Sequence, residues 1–273
     1  MRLLHYLAPL ALLLASCSDS EPPALTPTLP ATTGSRVTNI KRNGSFESGY
    51  DWSFRYQNNR LTQATGVLRN PDNLQDRNFS YNCNLKYGRG QVSATYSNTS
   101  IEPMTFVMGT NNCISRIIQG RNTIDFQYNA DGRLTAWQKE AYEGAFGQQA
   151  QYRSSANISY DASGAIHKIV YYGTDDRRTI VTLTNSTHAN INGLLPATLS
   201  TELGMSGYEH LYYAGLLGRA TSVLPQQLTR EYPDASAREP ETVTYEYGQQ
   251  GNNITMCYYH PTPNSVASVE YTY

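Results

Sequence analysis

Ile124-Asp125-Phe126-Gln127-Tyr128, then Asn129-Ala130-Asp131-Gly132-Arg133, then Leu134-Thr135, is the stretch whose reading decides the fold. Ile124, Phe126 and Tyr128 alternate with polar neighbours, so an extended chain here has one apolar face and one wet face. Asn129 and Asp131 open a turn through side-chain hydrogen bonds, and Gly132 takes the positive-φ position that closes a hairpin. Leu134 starts the next strand. The same unit recurs as Tyr56-Gln57-Asn58-Asn59-Arg60-Leu61-Thr62 and as Tyr160-Asp161-Ala162-Ser163-Gly164-Ala165-Ile166. A looser copy runs from Tyr247-Gly248 to Asn252-Asn253-Ile254-Thr255. Trp52, Phe54 and Tyr56 share a face opposite Asp51, Ser53 and Arg55, and Val269, Tyr271 and Tyr273 repeat the pattern at the other end of the chain. Period two with aromatics implies half-buried strands joined by tight turns.

Composition agrees. Only 16% of residues are charged, against about a quarter in ordinary domains. Their place is taken by 22 Tyr, 27 Thr and 21 Asn, which favour strands and the turns between them. The expected fold is all-β, a mostly antiparallel meander forming a barrel-like or strongly curved sheet. One segment breaks the period. Tyr208, Leu211, Tyr212 and Gly215 fall at helical spacing, with Gly218 to end the helix and Pro225 to prevent its return, so a single short helix is expected near 208–218.

The N-terminus reads as an address. Met1-Arg2 is basic, Leu3 to Leu14 is apolar, and Leu14-Ala15-Ser16-Cys17 ends the segment, which is too short to span a membrane. The quartet resembles the lipobox of bacterial lipoproteins. That resemblance implies cleavage after Ser16, acylation of Cys17 by chains such as palmitate, and anchoring to a membrane. The expected organisation is a signal peptide over 1–16, a Pro/Thr-rich tether over 17–35 holding Pro22, Pro23, Pro27 and Pro30, and one β domain over 36–273. Ser18 resembles lipoproteins sent to the outer membrane. Asp19 and Glu21 resemble the acidic tag of Bacteroides-type surface lipoproteins, so both the periplasmic and the cell-surface face stay open. Losing Arg2 lowers 21 basic residues to 20 against 22 acidic ones, and without a basic stripe nucleic acid is excluded as a partner. Cys83, Cys113 and Cys257 remain as either one disulfide and a thiol or three buried thiols.

Two further resemblances bear on the fold. The hairpin units locally resemble the tyrosine–aspartate repeats of large bacterial surface and toxin-shell proteins. Asn192-Gly193-Leu194-Leu195-Pro196, Tyr212-Tyr213-Ala214-Gly215-Leu216-Leu217-Gly218-Arg219-Ala220 and Leu224-Pro225 resemble a family of Bacteroides-type lipoproteins, a domain of unknown function with a porin-like fold. That likeness implies a curved or closed antiparallel sheet over roughly residues 36–273 and carries no catalytic residues.

Chemistry is sparse. His167, His188, His210 and His260 lack zinc spacing and read as surface or strand histidines. Gly204-Met205-Ser206-Gly207 misses a nucleophile elbow by one residue, and Glu140 with Glu143 is a pair that any long chain offers. No metal or cofactor is expected. The first functional expectation is a non-enzymatic binding or interaction module of the envelope, tethered by lipid, whose partner is a glycan, a peptide or an envelope protein. A structural accessory subunit of an outer-membrane complex ranks second and a glycan-active enzyme third. A membrane-spanning porin is a rival within the same fold, although Arg153, Lys168, Arg177 and Arg178 interrupt any lipid-facing strand. The candidate ligand residues are Tyr208, His210, Tyr212 and Tyr213, on a helix that either plugs the concave side of the sheet or borders an opening in it. Adjacent tyrosines in a strand point to opposite faces, so one of each pair Tyr171-Tyr172, Tyr212-Tyr213 and Tyr258-Tyr259 is expected to face water or a cavity.

Overall fold

A computed structural model describes residues 34–43, 49–69, 80–88, 91–97, 104–143, 150–235, 237–262 and 264–273. The expected signal segment, Cys17 and the tether up to residue 33 lie outside the described residues.

Sixteen strands follow one another along the described chain. They are β1 (Asn39–Asn43), β2 (Gly49–Gln57), β3 (Arg60–Arg69), β4 (Ser80–Tyr87), β5 (Val92–Tyr96), β6 (Met104–Met108), β7 (Ile114–Gln119) and β8 (Asn122–Tyr128), and then β9 (Leu134–Glu143), β10 (Ala150–Tyr160), β11 (Ile166–Tyr172), β12 (Arg178–Ala189), β13 (Val223–Glu231), β14 (Glu241–Gln250), β15 (Asn253–Thr262) and β16 (Ser265–Thr272). Each pairs antiparallel with its neighbours in sequence, and β1 pairs with β16 from Asn39↔Thr272 to Asn43↔Ser268, so the meander closes into a barrel. Closure leaves no unpaired sheet edge. Turns form where the repeats place them. Asn58 and Asn59 sit at φ 48° and 67°, and Gly132 and Gly164 at φ 76° and 82°.

The wall sorts its side chains strictly. Trp52, Phe54, Ile124, Phe126, Val181, Leu183, Val243, Tyr245, Val269 and Tyr271 point inward and are buried. Ser53, Arg55, Thr182, Thr184, Thr244, Glu246 and Glu270 alternate with them and are exposed. Ion pairs bridge neighbouring strands on the outer face, Arg116 to Asp125 and Arg153 to Glu140. Lys168 is exposed on β11, and Arg178 at the start of β12 pairs with Asp234. Among the described residues the large apolar side chains left exposed are Val107, Tyr258 and Val266.

Sixteen strands enclose a space that wall side chains alone cannot fill, and barrels of this size leave a channel unless something occupies it. Here residues 190–222, between β12 and β13, fold back inside. Leu194, Leu195, Leu199, Leu203, Met205, Leu211, Leu216 and Leu217 of this segment are each at most 6% exposed and join the wall residues in one core. Full burial of each such side chain stabilises the fold by about 1.5–3 kcal/mol. The segment contains α1 (Glu209–Tyr213), shorter than the helix expected near 208–218. Gly215, at φ 77°, turns the chain before Gly218 is reached, and Gly215 N donates to Tyr212 O at 2.8 Å.

The two rims of the barrel differ. β2, β4, β8, β10, β14 and β16 all run toward one rim, where six tyrosines reach back to the start of the preceding odd strand or its approach. Tyr56 donates to Val37 O (3.1 Å), Tyr87 to Leu61 O (2.8 Å), Tyr128 to Ile114 O (2.8 Å), Tyr160 to Leu134 O (2.9 Å), Tyr247 to Pro225 O (2.7 Å) and Tyr273 to Ile254 O (2.6 Å). Tyr56, Tyr128, Tyr160 and Tyr247 are the residues that open the repeats, so the repeat encodes a hairpin together with a clamp across it. Cys83, Cys113 and Cys257 are buried thiols, which settles their pairing in favour of none.

Candidate functional site

The inner segment enters and leaves at the tyrosine rim, and its buried backbone must find partners there. Asn190 does this at the entrance, its amide donating to Leu194 O (2.8 Å) while its carbonyl accepts from Leu194 N (2.7 Å). Asn192 staples the segment to the wall, donating to Ser35 O (3.1 Å) and Asn253 Oδ1 (2.9 Å) and accepting from Ile254 N (3.1 Å). On the way out the chain crosses the hairpin tips, where Leu216 O accepts from Ile114 N (2.7 Å), Arg219 N donates to Gly132 O (2.8 Å), and Thr221 Oγ1 accepts from Ile166 N (3.0 Å). Asn192, Leu194, Leu216 and Arg219 belong to the two stretches 192–196 and 212–220, which form the two ends of the plug.

The four candidate ligand residues lie inside. His210 is wholly enclosed rather than a surface or strand histidine, its ring 5.0 Å from that of Trp52 and its Nε2 3.1 Å from Tyr96 Oη. Burial lowers its pKa to about 3, so the ring is neutral. Tyr213 accepts from Leu195 N (3.2 Å) and its ring lies 5.1 Å from that of Phe54, tilted by 36°, and Tyr212 donates to Leu194 O (3.4 Å). Burial raises both phenols above their ordinary range. Tyr208 is half-buried at the start of α1. The side chains thus peg the helix to the incoming arm of the plug. Tyr212 and Tyr213 are both buried because a helix turn, unlike a strand, can point neighbours at the same core. In β15, Tyr258 is exposed while Tyr259 is buried, as alternation requires.

Three polar groups inside the barrel escaped the sequence reading. Glu202, at the far end of the plug from the tyrosine rim, pairs with Arg230 of β13 at 2.6 Å, and Arg230 also donates to Thr198 O at 2.7 Å. Thr198 is held at φ 67°, a left-handed conformation that a β-branched residue rarely adopts, while its hydroxyl bonds Tyr245 Oη at 2.7 Å. Glu209 is 4% exposed, with Oε2 lacking a hydrogen-bond partner, beside a cavity of about 10 Å³ lined by Arg42, Ser200, Tyr213 and Tyr271. Burial raises its pKa, while the hydrogen bond from Ser200 and the charge of Arg42 oppose the rise. The space is that of one water molecule at most. Glu202 and Glu209 are the only charged residues between 190 and 218, and lone acids in an apolar segment demand partners. That signal was present in the sequence, but the partners, Arg230 and Arg42, lie on distant strands.

Close backbone packing completes the plug. A Cβ on Gly204 would stand 2.6 Å from the Trp137 ring, and Trp137 Nε1 donates to Glu202 O at 2.9 Å. Open hollows lie on the outer surface. One, of about 520 Å³, lies along β15 and β16 by Asn253, Met256 and Glu270, and another, of about 460 Å³, lies between the turns at Asn111 and Asn129. Among the described residues no three His, Cys, Asp or Glu side chains cluster as metal ligands. Glu140 faces outward against Arg153.

No family model matches the chain, and no curated protein matches it. Solved structures do. A porin-like protein from Bacteroides uniformis superposes with a TM-score of 0.64 at 20% identity, covering 86% of this chain and 97% of the other. A porin-like protein from Bacteroides vulgatus superposes with a TM-score of 0.58 at 10% identity, covering 88% and 99%. At these identities the likeness is one of fold, which is porin-like.

Proposed function

We propose that this chain is a lipid-anchored, non-enzymatic binding or interaction module of the bacterial outer membrane, and that its barrel stands in water instead of conducting through the bilayer. The observation that carries the reading is the inversion of the wall. A spanning barrel turns an apolar band about 25 Å tall toward lipid and a polar face toward its lumen. This barrel has leucines and aromatics within and Thr, Arg, Glu and Asp without, and its lumen is filled by the plug. Cys17 supplies the membrane attachment that such a wall cannot. The porin-like neighbours from Bacteroides support the outer-membrane setting. With the interior filled, partners meet the outer face, the hollows or the rims.

Two measurements test this. Fractionation of cells making wild-type chain and Cys17→Ser places the first with membranes and the second in the soluble fraction; a soluble wild type, or a membrane-bound Cys17→Ser, refutes the anchor. Glycan and peptide arrays then yield a ligand for the soluble form. A stoichiometric protein partner recovered from native membranes, with the arrays blank, replaces the binding module by an accessory subunit that braces an outer-membrane complex.

A further inference from the structure

The tyrosine rim differs from its opposite in charge as well as in bonding. Leaving aside Glu202 and Glu209, which are buried in the plug, its described turns, strand ends and connecting segments carry Arg36, Arg60, Arg133 and Arg219 against Asp131 and Asp161. The described turns and strand ends of the opposite rim carry Arg69, Arg121, Arg177, Arg178 and Arg238 against Glu143, Asp175, Asp176, Glu231, Asp234, Glu239 and Glu241. Among the described residues, one end of the barrel therefore carries two more positive than negative charges, and the other two more negative than positive. Three of the four rim arginines are laid over rim tyrosines, Arg36 over Tyr56 (5.3 Å), Arg60 over Tyr87 (5.5 Å) and Arg133 over Tyr160 (5.9 Å). Those rings are themselves held by the phenol-to-carbonyl bonds, so the guanidinium groups are placed in advance of any ligand. Arg219 lies exposed beside Gly132.

The chain also enters at this rim. Gly34 N donates to Ile191 O (3.0 Å), Asn192 donates to Ser35 O (3.1 Å) and Thr38 N donates to Thr272 O (2.7 Å), which fixes residues 34–38 to the barrel. Only residues 18–33 separate that point from Cys17, a reach of at most about 60 Å fully extended. We propose that the tyrosine rim lies against the membrane and that its arginines contact the phosphates of anionic phospholipid headgroups, so that the acidic rim faces away. The orientation rests on the reading of Cys17 as a membrane anchor; the affinity for anionic lipid does not. Arginine suits the role because its planar fork binds phosphate through two hydrogen bonds at once. A negative lipid surface draws the basic end and repels the acidic end, so the two rims act together to orient the barrel.

The test uses the mature chain carrying Cys17→Ser, co-sedimented with phosphatidylcholine vesicles made with and without phosphatidylglycerol, at low and high salt. Partitioning onto the vesicles containing phosphatidylglycerol is expected to be stronger on the order of tenfold at low salt, and the preference disappears at high salt. Replacing Arg36, Arg60, Arg133 and Arg219 together by Gln removes the preference, and replacing Arg121, Arg177, Arg178 and Arg238 by Gln leaves it. Arg219→Gln alone, at an exposed position that no fold contact requires, weakens it several-fold and stands in if the quadruple variant does not fold. Equal partitioning onto both vesicles, or a preference that survives loss of the rim arginines, overturns the proposal. A wild-type chain found soluble in cells while the vesicle preference persists removes the anchor and keeps the rim; a membrane-bound wild type without the preference does the reverse.

Discussion

On β16 the inward residues Ala267, Val269 and Tyr271 are at most 5% exposed, while Ser268, Glu270 and Thr272 between them face outward. The same contrast runs around the wall, and it separates the energetics of the molecule into two regions. Inside, each side chain is packed against the plug, so removing atoms leaves a void or an orphaned charge. Outside, side chains meet water, and their ion pairs are screened. The difference teaches what kind of barrel this is. Porin-like topology does not dictate porin-like polarity, because closure of sixteen strands constrains hydrogen bonding and leaves open which face is apolar.

The contrast predicts a graded response to substitution. The largest effect belongs to Arg230→Ala, which leaves Glu202, 6% exposed, as an unpaired buried carboxylate. A loss of about 3–5 kcal/mol in urea unfolding is expected, and a loss below 1 kcal/mol would mean that water reaches the pair. Leu211→Ala, at a side chain with no exposure, should cost about 2–5 kcal/mol through the cavity it leaves in the plug. A cost near zero would show that the plug leaves the lumen readily.

His210 gives a pH signature of the same interior. Its folded pKa, about 3, lies below the unfolded value, so the unfolded chain binds the proton first as pH falls. Stability from this group is complete above about pH 6.5 and is lost from there down toward pH 3, at up to about 1.4 kcal/mol per pH unit. Glu209, raised by burial, acts in the opposite sense, its contribution being present at low pH and lost as pH rises through its folded value. His210→Gln should therefore flatten the decline between pH 6 and pH 4, read as the change in urea midpoint; an unchanged slope would show that His210 is not the group responsible. The smallest effect is reserved for the outer face. Arg116→Ala breaks a pair whose side chains are 50% and 41% exposed, and no measurable shift of the urea midpoint is expected. A measurable loss would blur the distinction between the two faces.

Much of the wall was legible in the sequence, because strands and turns of two to five residues are local. Tyr56, Tyr128 and Tyr160, each followed within two residues by Asn or Asp, mark strand ends that form where expected. Closure was not legible, since the pairing of Ile40 with Tyr271 joins the two ends of the chain. Nor was the plug. Residues 190–207 have neither a period of two nor one of 3.6, and they earn their place through bonds such as Asn192 to Asn253 that no window of sequence contains. The helix was seen but overextended, because Gly215 competes with Gly218 as its end. His210 read as a surface residue because its neighbours, Trp52 and Tyr96, lie more than a hundred residues away.

The inversion of the wall is tested most directly by size-exclusion chromatography with light scattering on the mature chain carrying Cys17→Ser, without detergent. A filled barrel with a polar exterior elutes as a single soluble species of defined mass. Aggregation that only detergent reverses would show an apolar exterior and restore the membrane-spanning porin.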